Sequence, residues 1–145
     1  MKSLNIVQKK EKVLNFIKKN ILGVISTVSL EGKPESAVMV ISQKNNLELI
    51  FQTPNNYRKY INLKYNPHVA IVFGFDLEEF TTVQYEGIAE EVYGKEIDKC
   101  RKIHVAKNPK SIDYAYLPQN KYFIVSPIWI RYWNFNTNER FELTF

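Results

Sequence analysis

The sequence predicts a mainly β fold, an antiparallel barrel closed or nearly closed, with peripheral α-helices. Three observations predict it. Six stretches rich in β-branched and aromatic residues follow one another along the chain. Only three helical stretches accompany them, without the strand–helix alternation of a parallel sheet. Closing such a sheet on itself also removes exposed strand edges. The 145 residues suit one domain with one core, read as residues 1–145.

The elements follow in order. Residues 6–19 read as an amphipathic helix with Ile6, Val13, Leu14 and Ile17 near one face and Asn20 as its stop. Strands are predicted at 22–28 and 36–42, joined by the turn Glu31-Gly32-Lys33-Pro34, and at 47–51 after Asn45-Asn46. A helix is predicted from Pro54 to about Tyr65, packing Tyr57, Tyr60, Ile61 and Tyr65 on the sheet, until Asn66-Pro67 ends it. A fourth strand covers 68–73 and a long fifth covers 81–93, with Val83, Tyr85, Gly87 and Ala89 on one face. A helix follows over 95–107. The sixth strand covers 122–135, where Pro127 signals an edge or a bulge. With no bulge, Phe123, Val125, Trp129, Arg131, Trp133 and Phe135 would share a face. A short closing strand covers 140–145.

Hydrophobic residues make up 45% and charged residues 24%, which places the chain among folded globular proteins. No apolar run is long enough to cross a membrane. The N-terminus is soon interrupted by Lys9, Lys10, Glu11 and Lys12, so a signal peptide is not expected. The single cysteine, Cys100, excludes an internal disulfide and fits a reducing cytoplasm. The net charge of +5 comes largely from lysines of the first helix. No basic, aromatic-interleaved motif accompanies them, so they read as a solvated helix face and not as a nucleic-acid surface.

One stretch carries the functional signal. In Phe51-Gln52-Thr53-Pro54-Asn55-Asn56-Tyr57-Arg58-Lys59 a strand ends and a helix begins. Thr53 suits an N-cap and Pro54 the first helical position. Free N–H groups at the helix start, the helix dipole, Arg58 and Lys59 together suit an anion the size of a phosphate. The bland alternative is a capped surface helix with solvated cations. Gln84 lies mid-strand, either facing solvent or offering a donor and an acceptor to a heterocycle edge. Trp129, Arg131 and Trp133 read as a flat aromatic surface for a ligand, or as a core or interface patch. Cys100 and His104 are four apart on a helix, but nothing completes a metal ligand set, and no metal is expected. No Gly-x-Ser-x-Gly elbow, P-loop or Gly-x-Gly-x-x-Gly occurs. Any redox chemistry therefore needs a cofactor.

In order, Ser26-Thr27-Val28, the Glu31–Pro34 turn, Phe51-Gln52-Thr53, Arg58-Lys59, Asn66-Pro67, Gln84 to Ala89 and Ile130-Arg131-Tyr132-Trp133 resemble the pyridoxamine 5′-phosphate oxidase-like, FMN-binding split-barrel family. The resemblance implies a six-stranded antiparallel split β-barrel of Greek-key type and a homodimer with FMN at its interface. It implies that Thr53, Arg58 and Lys59 hold the FMN phosphate, and that Val38, Met39 and Val40 offer backbone contacts to the isoalloxazine ring. Gln52 joins this cofactor-binding set, and Gln84 and Trp133 approach the flavin, in part from the partner subunit. Small planar substrates, with NAD(P)H or another reductant, would follow. Tyr85, Tyr132 and Arg131 are candidate proton donors by position alone. Two departures stand out. Where true pyridoxamine phosphate oxidases carry an Arg and a Lys in the second strand, this chain has Ala37 and Ser42. Near the C-terminus Arg140-Phe141-Glu142 lacks the family's histidine. Synthesis of pyridoxal phosphate is therefore not expected. Relatives that bind haem, or hold flavin without catalysis, keep a non-catalytic binding protein open, and a deazaflavin-dependent reductase is a further alternative.

Overall fold

A computed structural model describes residues 3–145. Among them, eight strands form one antiparallel sheet: β1 (Leu22–Val28), β2 (Pro34–Val40), β3 (Ser42–Gln43), β4 (Leu49–Pro54), β5 (His68–Phe73), β6 (Thr81–Glu91), β7 (Asn120–Asn134) and β8 (Glu139–Thr144). The order is β2-β1-β5-β6-β7-β4-β3, with β8 beside β7. The helices are α1 (Ile6–Lys19), α2 (Arg58–Tyr65), α3 (Lys95–Lys107) and the short α4 (Ile112–Ala115).

The strand predicted over 36–42 is interrupted at Ile41. This residue carries the chain from β2, at one end of the sheet, to β3, at the other, and its N–H donates to Ile21 O at 3.1 Å. The two ends of the sheet therefore lie side by side. The sheet curls into a barrel left open along a seam beside β2, the split-barrel form. Among the described residues β2 pairs only with β1, so its other edge keeps N–H and C=O groups without a strand partner facing that seam.

Period-two alternation fills the barrel. Ile25, Phe51, Ile71, Phe73, Val83, Tyr85, Phe123, Val125 and Ile130 are almost fully buried. Each large side chain so buried contributes about 1.5–3 kcal/mol. The rings of Phe51 and Phe123 stack with centroids 5.1 Å apart. α1 covers one side of this core with Val13, Phe16 and Ile17, whereas Ile6 is exposed. An Asn5–Gln8 capping box starts α1, and Asn20 closes it as expected.

β7 is long because it serves two neighbours on one edge, β4 along its first half and β8 along its second. Between the halves the register with β6 shifts at Glu86/Gly87, opposite Pro127. The bulge that Pro127 signals is therefore present, and it corrects the shared face predicted for β7. Phe123 and Val125 point inward. Beyond the bulge Ile130 and Tyr132 take that role, and Trp129, Arg131 and Trp133 move to the outer face.

The second helix is also corrected. Pro54 stays in β4, opposite Asn120, and Asn55 N–H still bonds Gln119 O, so the strand outlasts its predicted end. α2 begins only at Arg58. Its phase then buries Asn62 and Leu63, while Tyr57, Ile61 and Tyr65 are exposed.

Candidate functional site

The β4–α2 turn, β1 and β2 enclose a groove of about 320 Å³ at the mouth of the seam. Thr27, Glu35, Ser36, Ala37, Asn56 and the pair Arg58–Lys59 line it. Arg58 and Lys59 are the first two residues of α2, so their own N–H groups belong to the turn with no intrahelical acceptor. The positive end of the helix and two cationic side chains therefore meet at one place. Burial, with the nearby Arg58 guanidinium adding to it, holds the Lys59 ammonium below its usual range. An anion bound here would offset the Arg58 repulsion and favour the charged ammonium.

The capping role read for Thr53 does not hold. The N-cap of α2 is Tyr57, without a side-chain cap. Thr53 is buried in β4 and its hydroxyl donates weakly to Pro54 O at 3.4 Å. It lies outside the groove lining. The cause is the extension of β4 through Pro54, which leaves a three-residue turn between strand and helix.

Sequence reasoning missed the polar chain behind the mouth. Asn62 Nδ2 donates to Thr27 Oγ1 at 2.9 Å and to Glu35 Oε1 at 2.8 Å. Glu35 Oε2 in turn lies 3.0 Å from the Arg58 guanidinium. Thr27 and Asn62 are both buried, so the chain is anchored from inside the barrel. Asn62 could have been found from its place one turn after Arg58; Glu35 carries no local signal.

Farther along the seam Met39, Val40, Gln52, His104, Asn108, Lys110, Ser111 and Tyr114 line a smaller chamber of about 210 Å³. The Gln52 side-chain oxygen is buried and has no donor among the described residues. His104 is buried, and its Nδ1 shares a 2.6 Å hydrogen bond with Ser42 Oγ. Burial pushes its pKa down to about 4, and the nearby Lys107 adds to that shift, so the ring is neutral near pH 7.

The remaining candidates are on the outer face of the sheet. Registers place Val38, Val24, Val72, Gln84, Arg131 and Glu142 in one row across it. Gln84 is exposed and sits three strand spacings from Val38, about 14 Å. Trp133 stacks on Phe135 at 4.2 Å, Arg140 lies over its ring, and its buried indole N–H has no acceptor among the described residues. Thus Arg58 and Lys59 share the groove, and Met39, Val40 and Gln52 share the chamber. Val38, Gln84 and Trp133 face away from both. Two proton-donor candidates are corrected: Tyr85 and Tyr132 point into the core. The Tyr85 hydroxyl sits between Leu47 O (2.8 Å) and Val125 O (3.2 Å), and burial drives its pKa upward. Arg131 is bound to Glu142, with contacts of 2.7 and 3.2 Å.

Solved structures share this fold. A haem-binding protein from Mycobacterium smegmatis superposes with a TM-score of 0.84 at 14% identity, over 99% of this chain and 60% of its own. This chain thus spans three-fifths of that protein. Campylobacter jejuni ChuZ gives 0.81 at 10% identity, over 98% of this chain and 61% of its own. General Stress Protein 26 from Bacillus anthracis gives 0.72 at 24% identity, over 93% and 98%. No curated protein matches the sequence. The family model for pyridoxamine 5′-phosphate oxidase matches residues 10–134, a span that takes in the groove, the seam and the outer-face row as far as Arg131. With the curled sheet open beside β2, that match establishes that the chain belongs to the pyridoxamine 5′-phosphate oxidase family.

Proposed function

We propose that the chain binds FMN along the seam and works as a flavin-dependent oxidoreductase on a small planar substrate. One observation carries this reading: the Arg58–Lys59 groove opens beside the unpaired edge of β2. The groove suits the phosphate. Backbone groups of Val38, Met39 and Val40 suit the polar edge of the ring, and Gln52 brings an unpartnered amide oxygen to the same stretch. The residues present therefore fit the group. FMN, when bound, would supply the electron transfer; the chain binds it, orients it and excludes water from one side.

Gln84 and Trp133 cannot join that seam within one chain, because they lie across the outer face. They meet a ring only if a second copy packs against that face. Exposed Leu22, Val38, Val72 and Ile128 on the sheet support such a homodimer. Positions 37 and 42 are Ala and Ser, and Ser42 is bound to His104, so these two residues do not supply the cationic grip on a pyridoxal-type phosphate.

Haem is the second reading, favoured by the name of the mycobacterial neighbour. Its iron would need an axial ligand. Of the two histidines, His104 is bound to Ser42, while His68 is exposed beside a groove lined by Val28, Ala70 and Ile128. The absorbance spectrum and mass of the ligand that co-purifies separate the readings. Flavin bands with the mass of FMN support the first. A Soret band establishes haem, and a single near-violet band a deazaflavin.

A further inference from the structure

We propose that Glu35 sets the anion affinity of the groove, an internal carboxylate that keeps free small anions out of the empty groove so that only a phosphate anchored through the rest of its molecule binds there. The inference rests on the groove being the phosphate end of the proposed flavin site.

The two cations of the mouth are unequal. Arg58 is neutralised by Glu35 at 3.0 Å, whereas Lys59 has no carboxylate partner among the described residues. Glu35 is not a loose surface side chain. One oxygen faces Arg58 and the other is held by the buried Asn62, itself fixed to the buried Thr27. A long glutamate held at both oxygens cannot swing away when an anion arrives. The formal charge of the mouth is then +1, from Arg58, Lys59 and Glu35.

An arriving phosphate shares the Arg58 guanidinium with a fixed negative charge a few ångströms away. At that separation and an intermediate dielectric the repulsion is substantial, and screening at this half-open mouth leaves about a tenfold loss of affinity. Free phosphate, held by charge alone, cannot offset that loss. A phosphate ester whose ring also contacts β2 can. Glu35 therefore keeps cellular phosphate out of the empty groove, at an equal cost to FMN that the ring contacts offset, while leaving Arg58 pre-positioned.

The test compares wild type with Glu35→Gln, which keeps the shape and removes the charge. Glu35→Ala is the second variant, in case the amide rearranges the Asn62 contact. Inorganic phosphate, FMN and riboflavin are each titrated, phosphate by calorimetry and the flavins by fluorescence quenching. Both variants are expected to bind phosphate and FMN about tenfold more tightly and riboflavin unchanged. Without flavin, a given phosphate concentration should then fill more of the groove in the variants than in wild type. Phosphate affinity that is unchanged or weaker in both variants overturns the proposal. The flavin reading fails separately: if FMN binds neither protein but phosphate still tightens, the role of Glu35 stands and the cofactor is wrong. If wild type binds FMN well and neither substitution moves phosphate or FMN, the cofactor stands and Glu35 does not.

Discussion

His104 makes the stability of this protein depend on pH in a calculable way. The ring is 1% exposed, its Nδ1 is 2.6 Å from Ser42 Oγ, and Tyr122 packs edge-on at 6.1 Å. Lys107, whose ammonium is 2.7–2.9 Å from Ile17 O, Ile41 O and Gln43 Oε1, adds positive charge nearby. Desolvation first, and Lys107 second, lower its pKa from 6.5 to about 4. A folded pKa below the unfolded one means that the unfolded chain binds more protons between those values. Stability from this group is therefore complete above about pH 6.5 and is lost as pH falls toward 4. The whole gap corresponds to about 3 kcal/mol, of which about 2 kcal/mol falls between pH 7 and pH 5. Carboxylates titrate near the lower end too, so the informative quantity is a difference. Urea unfolding at pH 7 and pH 5 is measured for wild type and His104→Gln. The loss of stability on acidification should be about 2 kcal/mol smaller in the variant. Equal losses in the two proteins would refute the reasoning and show that the buried imidazole is not the group responsible.

Two further substitutions probe the barrel. Tyr85→Phe removes the hydroxyl that serves Leu47 O and Val125 O inside the core, and should lower unfolding free energy by about 1–3 kcal/mol; an unchanged urea midpoint would deny those bonds any weight. Gly87→Ala places a methyl group 2.5 Å from Ser126 O at the β6–β7 bulge, and should cost about 1–3 kcal/mol, seen as a lower thermal midpoint. A midpoint equal to wild type would mean that the strands are not so close there.

The strands were legible because their burial alternates with period two, and that signal survives any topology. Thr81 to Ala89 is the plainest case, with Thr81, Val83, Tyr85, Gly87 and Ala89 buried in turn. The end of β4 was not legible. Thr53-Pro54 has the chemistry of a helix start, but pairing with Lys121 and Asn120 keeps both residues in the sheet, and long-range pairing outweighs a local cap. The phase of α2 followed that error, so of the predicted stripe only Tyr60 packs on the sheet, edge-on to Phe123, while Tyr57, Ile61 and Tyr65 face outward. The face of Trp133 depended on one extra residue, Ile128 just after Pro127, which local patterning flags but cannot count. At the site, Arg58 and Lys59 were found because cations at a helix start are a local signal. Glu35 was not, because its meaning comes from β2 lying beside α2, contacts made across more than twenty residues of sequence.

The most direct measurement is the difference between FMN and riboflavin affinity, in wild type and in Arg58→Ala/Lys59→Ala. The two ligands differ only in the phosphate, so their difference isolates the groove from the ring site. Wild type should prefer FMN by about 2–5 kcal/mol, from two charge-assisted contacts of about 1.5–3 kcal/mol each less about 1.4 kcal/mol for the Glu35 repulsion. The double variant should lose most of that preference while riboflavin binding stays constant. An undiminished preference for FMN in the double variant would place the phosphate elsewhere and contradict the site proposed at the start of α2.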